Sequence, residues 1–283
     1  MLNKCRPVLG RAAALAALMA AMPFISAAPV KAGVGDLLVA PTRVVFDGSR
    51  GTEVILNNIG SEEATYRISL ELRRMNKDGE LIEIAEADAT PQEKLALSLI
   101  RYAPKRVTLT PDQPQSVRVG LQPEPMSTLA NGEYRVHMLF RAIPKVAAAG
   151  EQPEKSEGVQ IRIIPIYGVT IPLIIRKGNL NAKAAIANPR LIRDNGRSLL
   201  SFDMTRQGDK SVYGNVFISK PGLAQPLWAS NGIAIYSETN ERIVTLPISE
   251  EAAAQLHGPI TVAYHQTAEA GGGLIADVKA DLP

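Results

Sequence analysis

The chain has little of what most enzymes and metal proteins are built from. It holds one cysteine, Cys5, near its start, so no disulfide framework can form. It holds three histidines, His137, His257 and His265, and none has a metal-ligand partner four residues on. They read as structural or surface residues, and no metal site is expected. No Gly-x-Ser-x-Gly elbow is present, and no pair of acids is spaced in a way that implies catalysis. Gly271-Gly272-Gly273 precedes a strand pattern instead of a helix, so it reads as a hairpin turn and not a phosphate cradle. Aromatics make up 5% of the chain and the basic residues are scattered, which argues against single-stranded nucleic-acid binding. After the first residues, no apolar run reaches the roughly 20 residues that a membrane-spanning helix needs, so no membrane insertion is expected. No catalytic residue, cofactor or nucleic-acid partner follows from these features.

What is present begins with an export signal. Lys4, Arg6 and Arg11 precede an apolar run from Ala12 to about Ile25, and small residues then offer cleavage after Ala28 or Ala32. Cys5 lies in the basic region, away from the end of the apolar run where a lipoprotein cysteine would sit. Residues 1–32 are therefore expected to be removed. The precursor carries 31 Lys and Arg against 28 Asp and Glu; four of the basic residues and none of the acids lie in residues 1–32, which leaves 27 against 28. The basic character of the precursor thus belongs to its leader.

The remainder is patterned as strands. Val44–Phe46, Thr52–Leu56, Thr65–Leu72, Leu81–Ile84, Val107–Leu109, Ser116–Leu121 and Glu133–Ile143 are short apolar or alternating runs, and Asn76-Lys77-Asp78-Gly79 is a tight turn between two of them. One helix is expected, from Thr90 to about Ile100 across one end of the sandwich. Thr90 caps it, Pro91 suits its first position and Glu93 completes a capping box. Residues 145–157 are small and polar and read as a mobile loop. A second set of strands follows: Leu199–Met204, Val212–Ile218, Ile233–Tyr236, Ile243–Ile248, Ile260–Tyr264 and Leu274–Val278. The fold class is all-β, with two immunoglobulin-like sandwiches: residues 33–177 and residues 178–283.

The most unusual segment runs from Val159 to Arg176, long, β-branched and apolar, with Pro165 and Pro172 each removing a backbone donor. It must have edge character over part of its length or change partners along it. On composition alone two readings stay open. The strand is buried between sheets, or it is kept to complete the open edge of another protein.

Thr42-Arg43-Val44-Val45-Phe46-Asp47-Gly48, then Tyr134–Pro144, then the loop and the long strand ending at Arg176, resemble the PapD-like family of periplasmic pilus chaperones. The resemblance covers most of residues 35–177; in the second half only Val262-Ala263-Tyr264 and Gly271-Gly272 match, loosely. It implies two immunoglobulin-like domains set like a boomerang, in the periplasm. It also implies pilus or fimbrial subunits as partners, held by donor-strand complementation and passed to an outer-membrane usher. Val159, Ile161, Ile163, Pro165 and Tyr167 would point into the subunit, and Ile164 and Ile166, of opposite parity, into the chaperone's own core. Arg43 matches the family arginine that anchors the subunit's C-terminal carboxylate. Pro172 stands where the family has the companion lysine, with Lys177 as a possible substitute. Glu133 and Arg176 match two members of an ionic set between the domains; the third, an acid in the second domain, has no clear match, and Thr267 or Glu269 falls near its place. The other readings are a structural or adhesive β-sandwich module of the cell surface, and a β-sandwich hydrolase using His137 or His265.

Overall fold

The computed structural model describes residues 36–48, 51–144 and 166–283. The expected signal peptide (1–32), the loop at 145–157 and the donor positions Val159, Ile161, Ile163 and Pro165 lie outside the described residues.

The fold is all-β. The first sandwich contains strands β1 (Leu37–Ala40), β2 (Val44–Asp47), β3 (Gly51–Asn58), β4 (Ala64–Met75), β5 (Leu81–Ile84), β6 (Ile100–Ala103), β7 (Arg106–Leu109), β8 (Gln115–Leu121), β9 (Gly132–Ile143) and β10 (Gly168–Lys177). Helices α1 (Pro91–Leu99) and α2 (Pro123–Thr128) interrupt them. One sheet has the order β1-β3-β8-β6; the other has the order β2-β10-β9-β4-β5, with β7 also on β4. The second sandwich contains β11 (Ala182–Asp194), β12 (Arg197–Gly208), β13 (Val212–Ser219), β14 (Trp228–Ile235), β15 (Glu241–Pro247), helix α3 (Glu250–Gln255), β16 (Gly258–His265) and β17 (Leu274–Leu282). Its sheets have the orders β11-β12-β15 and β14-β13-β16-β17.

Alternation places the cores. On β8, Val117, Val119 and Leu121 are buried while Arg118 is exposed; on β9, Val136, Met138 and Phe140 face the same interior. They meet Val54, Leu56, Leu109, Leu173 and Ile175. A second core gathers Leu200, Phe202, Val216, Ile218, Ile235, Val262 and Tyr264. Each such side chain stabilises the fold by roughly 1.5–3 kcal/mol on full burial. A third cluster joins the two sandwiches: Met75 and Ile174 from the first pack against Ala234 and Tyr236 from the second.

The local signals hold where they were strongest. The capping box forms as expected: the Glu93 backbone N–H donates to the Thr90 hydroxyl and the Thr90 N–H to the Glu93 carboxylate, at 3.3 and 2.8 Å. Asn195 and Gly196 both take positive φ, +48° and +75°, which a two-residue hairpin turn requires. Three strands escape the sequence pattern: β1 and β6, each four residues long, and β11. The short helices α2 and α3 do as well.

Candidate functional site

β10 pairs antiparallel with β9 along its whole described length, from Gly168 opposite Arg141 to Lys177 opposite Gly132. The ladder continues one residue further, since the Ala142 N–H donates to the Tyr167 carbonyl at 2.9 Å. In an antiparallel ladder alternate residues turn both backbone groups to the same neighbour. Tyr167, Val169, Ile171, Leu173 and Ile175 therefore turn theirs to β9, and Gly168, Thr170, Pro172, Ile174 and Arg176 turn theirs to the other side. On that other side β2 pairs only with Leu173–Arg176. From Gly168 to Pro172 no strand among the described residues pairs on that side, which leaves an open edge there. Pro172 is tolerated because its missing N–H lies on this side and costs the β9 ladder nothing. The edge character expected from the prolines is found here, together with a gain of a second partner at Leu173.

The side chains alternate across the sheet. Val169, Ile171, Leu173 and Ile175 pack on the first core. Ile166 and Tyr167, where the described strand begins, are both 55% exposed. Tyr167 is thus accessible. Ile166 is not turned into the protein's own core, which corrects that expectation. The core-facing parity of β10 is the odd one, set by Ile171, Leu173 and Ile175.

The opposite face of β10 and β9 looks to the second sandwich. Arg176 Nε donates to Glu133 Oε2 at 3.0 Å. The Glu133 carboxylate is fully buried, and it also accepts from the Ser211 N–H at 3.0 Å and the Ser211 hydroxyl at 2.9 Å. The place beside this pair in the second sandwich is taken by Ser211. Three donors already satisfy the carboxylate, and a second buried acid beside it would be repelled. Thr267 and Glu269 instead line the adjoining cavity.

Arg43 sits just before β2 and reaches the same place. Its guanidinium lies over the Tyr213 ring at 4.4 Å, with the Tyr236 ring at 5.9 Å, and Nη2 donates to the Ser211 hydroxyl at 3.4 Å. Burial is the chief influence on it and pushes its pKa down; Tyr236 and Glu133 oppose this, and Arg176 adds to it. Its Nη1 is buried without a hydrogen-bond partner. Among the described residues no carboxylate pairs with Arg43. A cavity of about 770 Å³ opens beside it, lined among others by Arg176, Lys210, Ser211, Tyr213 and Gln266. Lys177 does not reach this cavity. Its ammonium donates to the Met126 carbonyl at 3.2 Å, on the other face of β10.

The sandwiches are tied further along the same face. Arg135 makes a two-pronged ion pair with Glu238, at 2.6 and 3.0 Å, and the Met75 N–H donates to the same carboxylate at 2.8 Å. The Ile243 N–H donates to the Lys77 carbonyl at 2.7 Å. His137, opposite Pro172 in register, is 1% exposed and meets the Tyr236 ring edge-on. Neither of its ring nitrogens has a partner, and burial, aided by the charges of Arg135, Arg73 and Arg43, pushes its pKa down to about 3. It is a neutral packing residue. His265 stacks edge-on against Phe217, with Nδ1 at 3.1 Å from the Gly272 carbonyl, and His257 is exposed. Among the described residues no group of three or more His, Cys, Asp and Glu side chains is placed to hold a metal ion. None of their helices is long and apolar enough to cross a membrane.

Arg43, Glu133 and Arg176 are thus brought together around Ser211. Ser211, Tyr213, Tyr236 and Lys210 went unmarked, because they come from the second sandwich and no local pattern announces them.

No protein-family model and no curated protein matches the sequence. Solved structures resemble the fold at low identity. The YadV chaperone does so at 13% identity and TM-score 0.43, over 87% of this chain and 100% of that one. The E. coli chaperone DraB gives 13% and 0.43, over 89% and 98%. The chaperone–tip subunit complex CsuC–CsuE from Acinetobacter baumannii gives 14% and 0.41, over 87% and 97%.

Proposed function

We propose that this chain is a periplasmic chaperone for pilus or fimbrial subunits. Residues 1–32 act as its signal peptide, and residues 33–177 and 178–283 form its two domains. The observation that carries the reading is that β10 at Gly168–Pro172 has no strand on its outer side among the described residues, an edge continuous with the exposed Ile166 and Tyr167. An open edge adds a strand from a partner. Backbone hydrogen bonds supply affinity and alternate side chains supply specificity. The apolar alternation upstream, at Val159, Ile161, Ile163, Pro165 and Tyr167, is what a subunit lacking its last strand would accept. Arg43, a half-buried cation with no carboxylate partner among the described residues, is suited to that subunit's terminal carboxylate through a charge-assisted hydrogen bond. The chain does no catalysis in this reading; it shields subunits and passes them to an outer-membrane usher.

Purification from the periplasm tests it. The chain should bring with it a protein whose own sandwich lacks a terminal strand. Ile163→Asp should abolish that capture while leaving the circular dichroism and melting temperature of the chain unchanged. Undiminished capture by the variant would count against strand lending.

A further inference from the structure

We infer that a partner strand added at the edge of β10 carries an acidic side chain opposite Gly168, and that a row of three arginines, Arg106, Arg67 and Arg141, selects for it. This rests on the chaperone reading above, and it fixes the charge of the strand that the edge accepts.

Register builds the row. Arg67 on β4 lies opposite Arg106 on β7 and, on its other side, opposite Arg141 on β9; Arg141 in turn lies opposite Gly168 on β10. The three side chains share the outer face of the sheet, because their neighbours Tyr66, Ile68, Val107, Phe140 and Ala142 are buried in the first core. All three arginines are exposed. Side chains placed directly opposite in a ladder have Cβ atoms about 5 Å apart, and like charges there repel. Among the described residues none of the three is in an ion pair. The next acid along β4 on this face, Glu71, is already engaged by Arg73 and by the Thr170 hydroxyl, at 2.6 and 3.3 Å. Such a row destabilises the free chain slightly, and an anion brought from outside relieves it.

Gly168 opens the row toward the edge of the sheet. It is not among the glycines with positive φ, so its backbone does not require glycine. What the position lacks is a side chain: a Cβ there would come to 3.0 Å from Leu139 Cδ1, and Leu139 forms a low apolar floor beside it instead. A strand added to β10 lies roughly 10 Å from β9, two strand spacings away. Its residue opposite Gly168 turns to the same face as Arg141. An extended arginine and a glutamate together span that distance over the missing side chain, whereas a larger residue at 168 would stand between them. Arg67 and Arg106, behind Arg141, add to its field. The row lies roughly 17 Å along β10 from Leu173, where β2 begins to pair, and so it is separate from the cavity beside Arg43.

Three synthetic peptides, Thr-Val-Thr-Val-X-Val-Thr-Val-Thr with Glu, Gln or Lys at X, provide the test; valine and threonine favour the strand. Each is titrated into the labelled full chain and followed by nuclear magnetic resonance. The amides of Gly168 and Thr170 report edge addition, and the Arg141 Nε–H reports the acid. The Glu peptide is expected to bind about fivefold more tightly than the Gln peptide, and the Lys peptide more weakly than either. Added sodium chloride should shrink the difference. Arg141→Gln should remove the preference for Glu, and Arg101→Gln, on the other sheet, should leave it unchanged. Equal affinity for the Glu and Gln peptides, with Gly168 and Thr170 shifted, overturns the role of the arginines and leaves strand addition standing. A preference that Arg141→Gln leaves intact overturns the assignment to this row. Arginine shifts without shifts at Gly168 and Thr170, or matched by inorganic phosphate alone, overturn the added strand as the source of the charge. No response to any peptide overturns the inference altogether. If Ile163→Asp still abolishes subunit capture in that case, strand lending upstream survives without it.

Discussion

His137 gives the most quantitative test of how the two sandwiches meet. It is 1% exposed beside Tyr236, with both ring nitrogens unpartnered and its pKa depressed to about 3 from an ordinary 6.5. The folded state keeps the imidazole neutral, whereas the unfolded chain protonates it near pH 6.5. Between those values the unfolded state binds more protons, so stability falls as pH falls, by about 1.4 kcal/mol per unit. Stability from this source is complete above pH 6.5, and from pH 7 to pH 4 the loss is about 3 kcal/mol. Phenylalanine keeps the ring and the edge-on contact, and it removes the proton site. His137→Phe should therefore be at least as stable as the parent at pH 7, because the nitrogens it deletes make no hydrogen bonds. Urea unfolding of both proteins at pH 7, 6, 5 and 4 separates this group from the carboxylates, which titrate in both. The gap between variant and parent should widen by about 3 kcal/mol across the series, most of it below pH 6. Parallel pH dependences would refute the argument, since they would mean that His137 is solvated or hydrogen-bonded in the folded chain.

Other residues offer independent tests. Glu133→Ala leaves Arg176 and the two Ser211 donors without their acceptor and should lower the unfolding free energy by about 3 kcal/mol, read by urea titration. Arg206→Met frees four carbonyls at the base of the 208–211 and 237–240 segments. It should cost about 3 kcal/mol and speed amide exchange in both segments together, whereas loss in one alone would show that they are held separately. Thr90→Ala should cost about 1 kcal/mol at neutral pH through loss of the α1 cap, measured by thermal unfolding.

Much of the fold is written in local chemistry. The alternation of Thr65–Leu72 and of Ser116–Leu121 marks β4 and β8 because each has one face in a core. Thr90, Pro91 and Glu93 mark the start of α1 because a helix N-terminus needs those hydrogen bonds. β1 and β6 are too short for a period to emerge. β11 is hidden for another reason: it is rich in alanine, contains Pro189, and breaks register between Ala187 and Arg190, where Asn188 takes a positive φ. Its strand state comes from pairing with β12 and not from its own preference. The site divides in the same way. Arg43, Glu133 and Arg176 stood out, but the cations, rings and hydroxyl that complete their surroundings come from a distant stretch of chain. Position 211 gives no sign in the sequence that its serine will bind a glutamate 78 residues earlier. The exposure of Ile166 was not legible because the apolar run is continuous. Only the packing of Ile171, Leu173 and Ile175 decides which side is inward.

Residue-resolved amide exchange on β10, for the chain alone and for the chain bound to the subunit it carries, tests the open edge most directly. Free, the amides of Gly168 and Thr170 should exchange quickly and those of Val169 and Ile171, bonded to β9, slowly. In the complex all four should be slow. Gly168 and Thr170 already slow in the free chain, or still fast in the complex, would contradict strand addition at this edge.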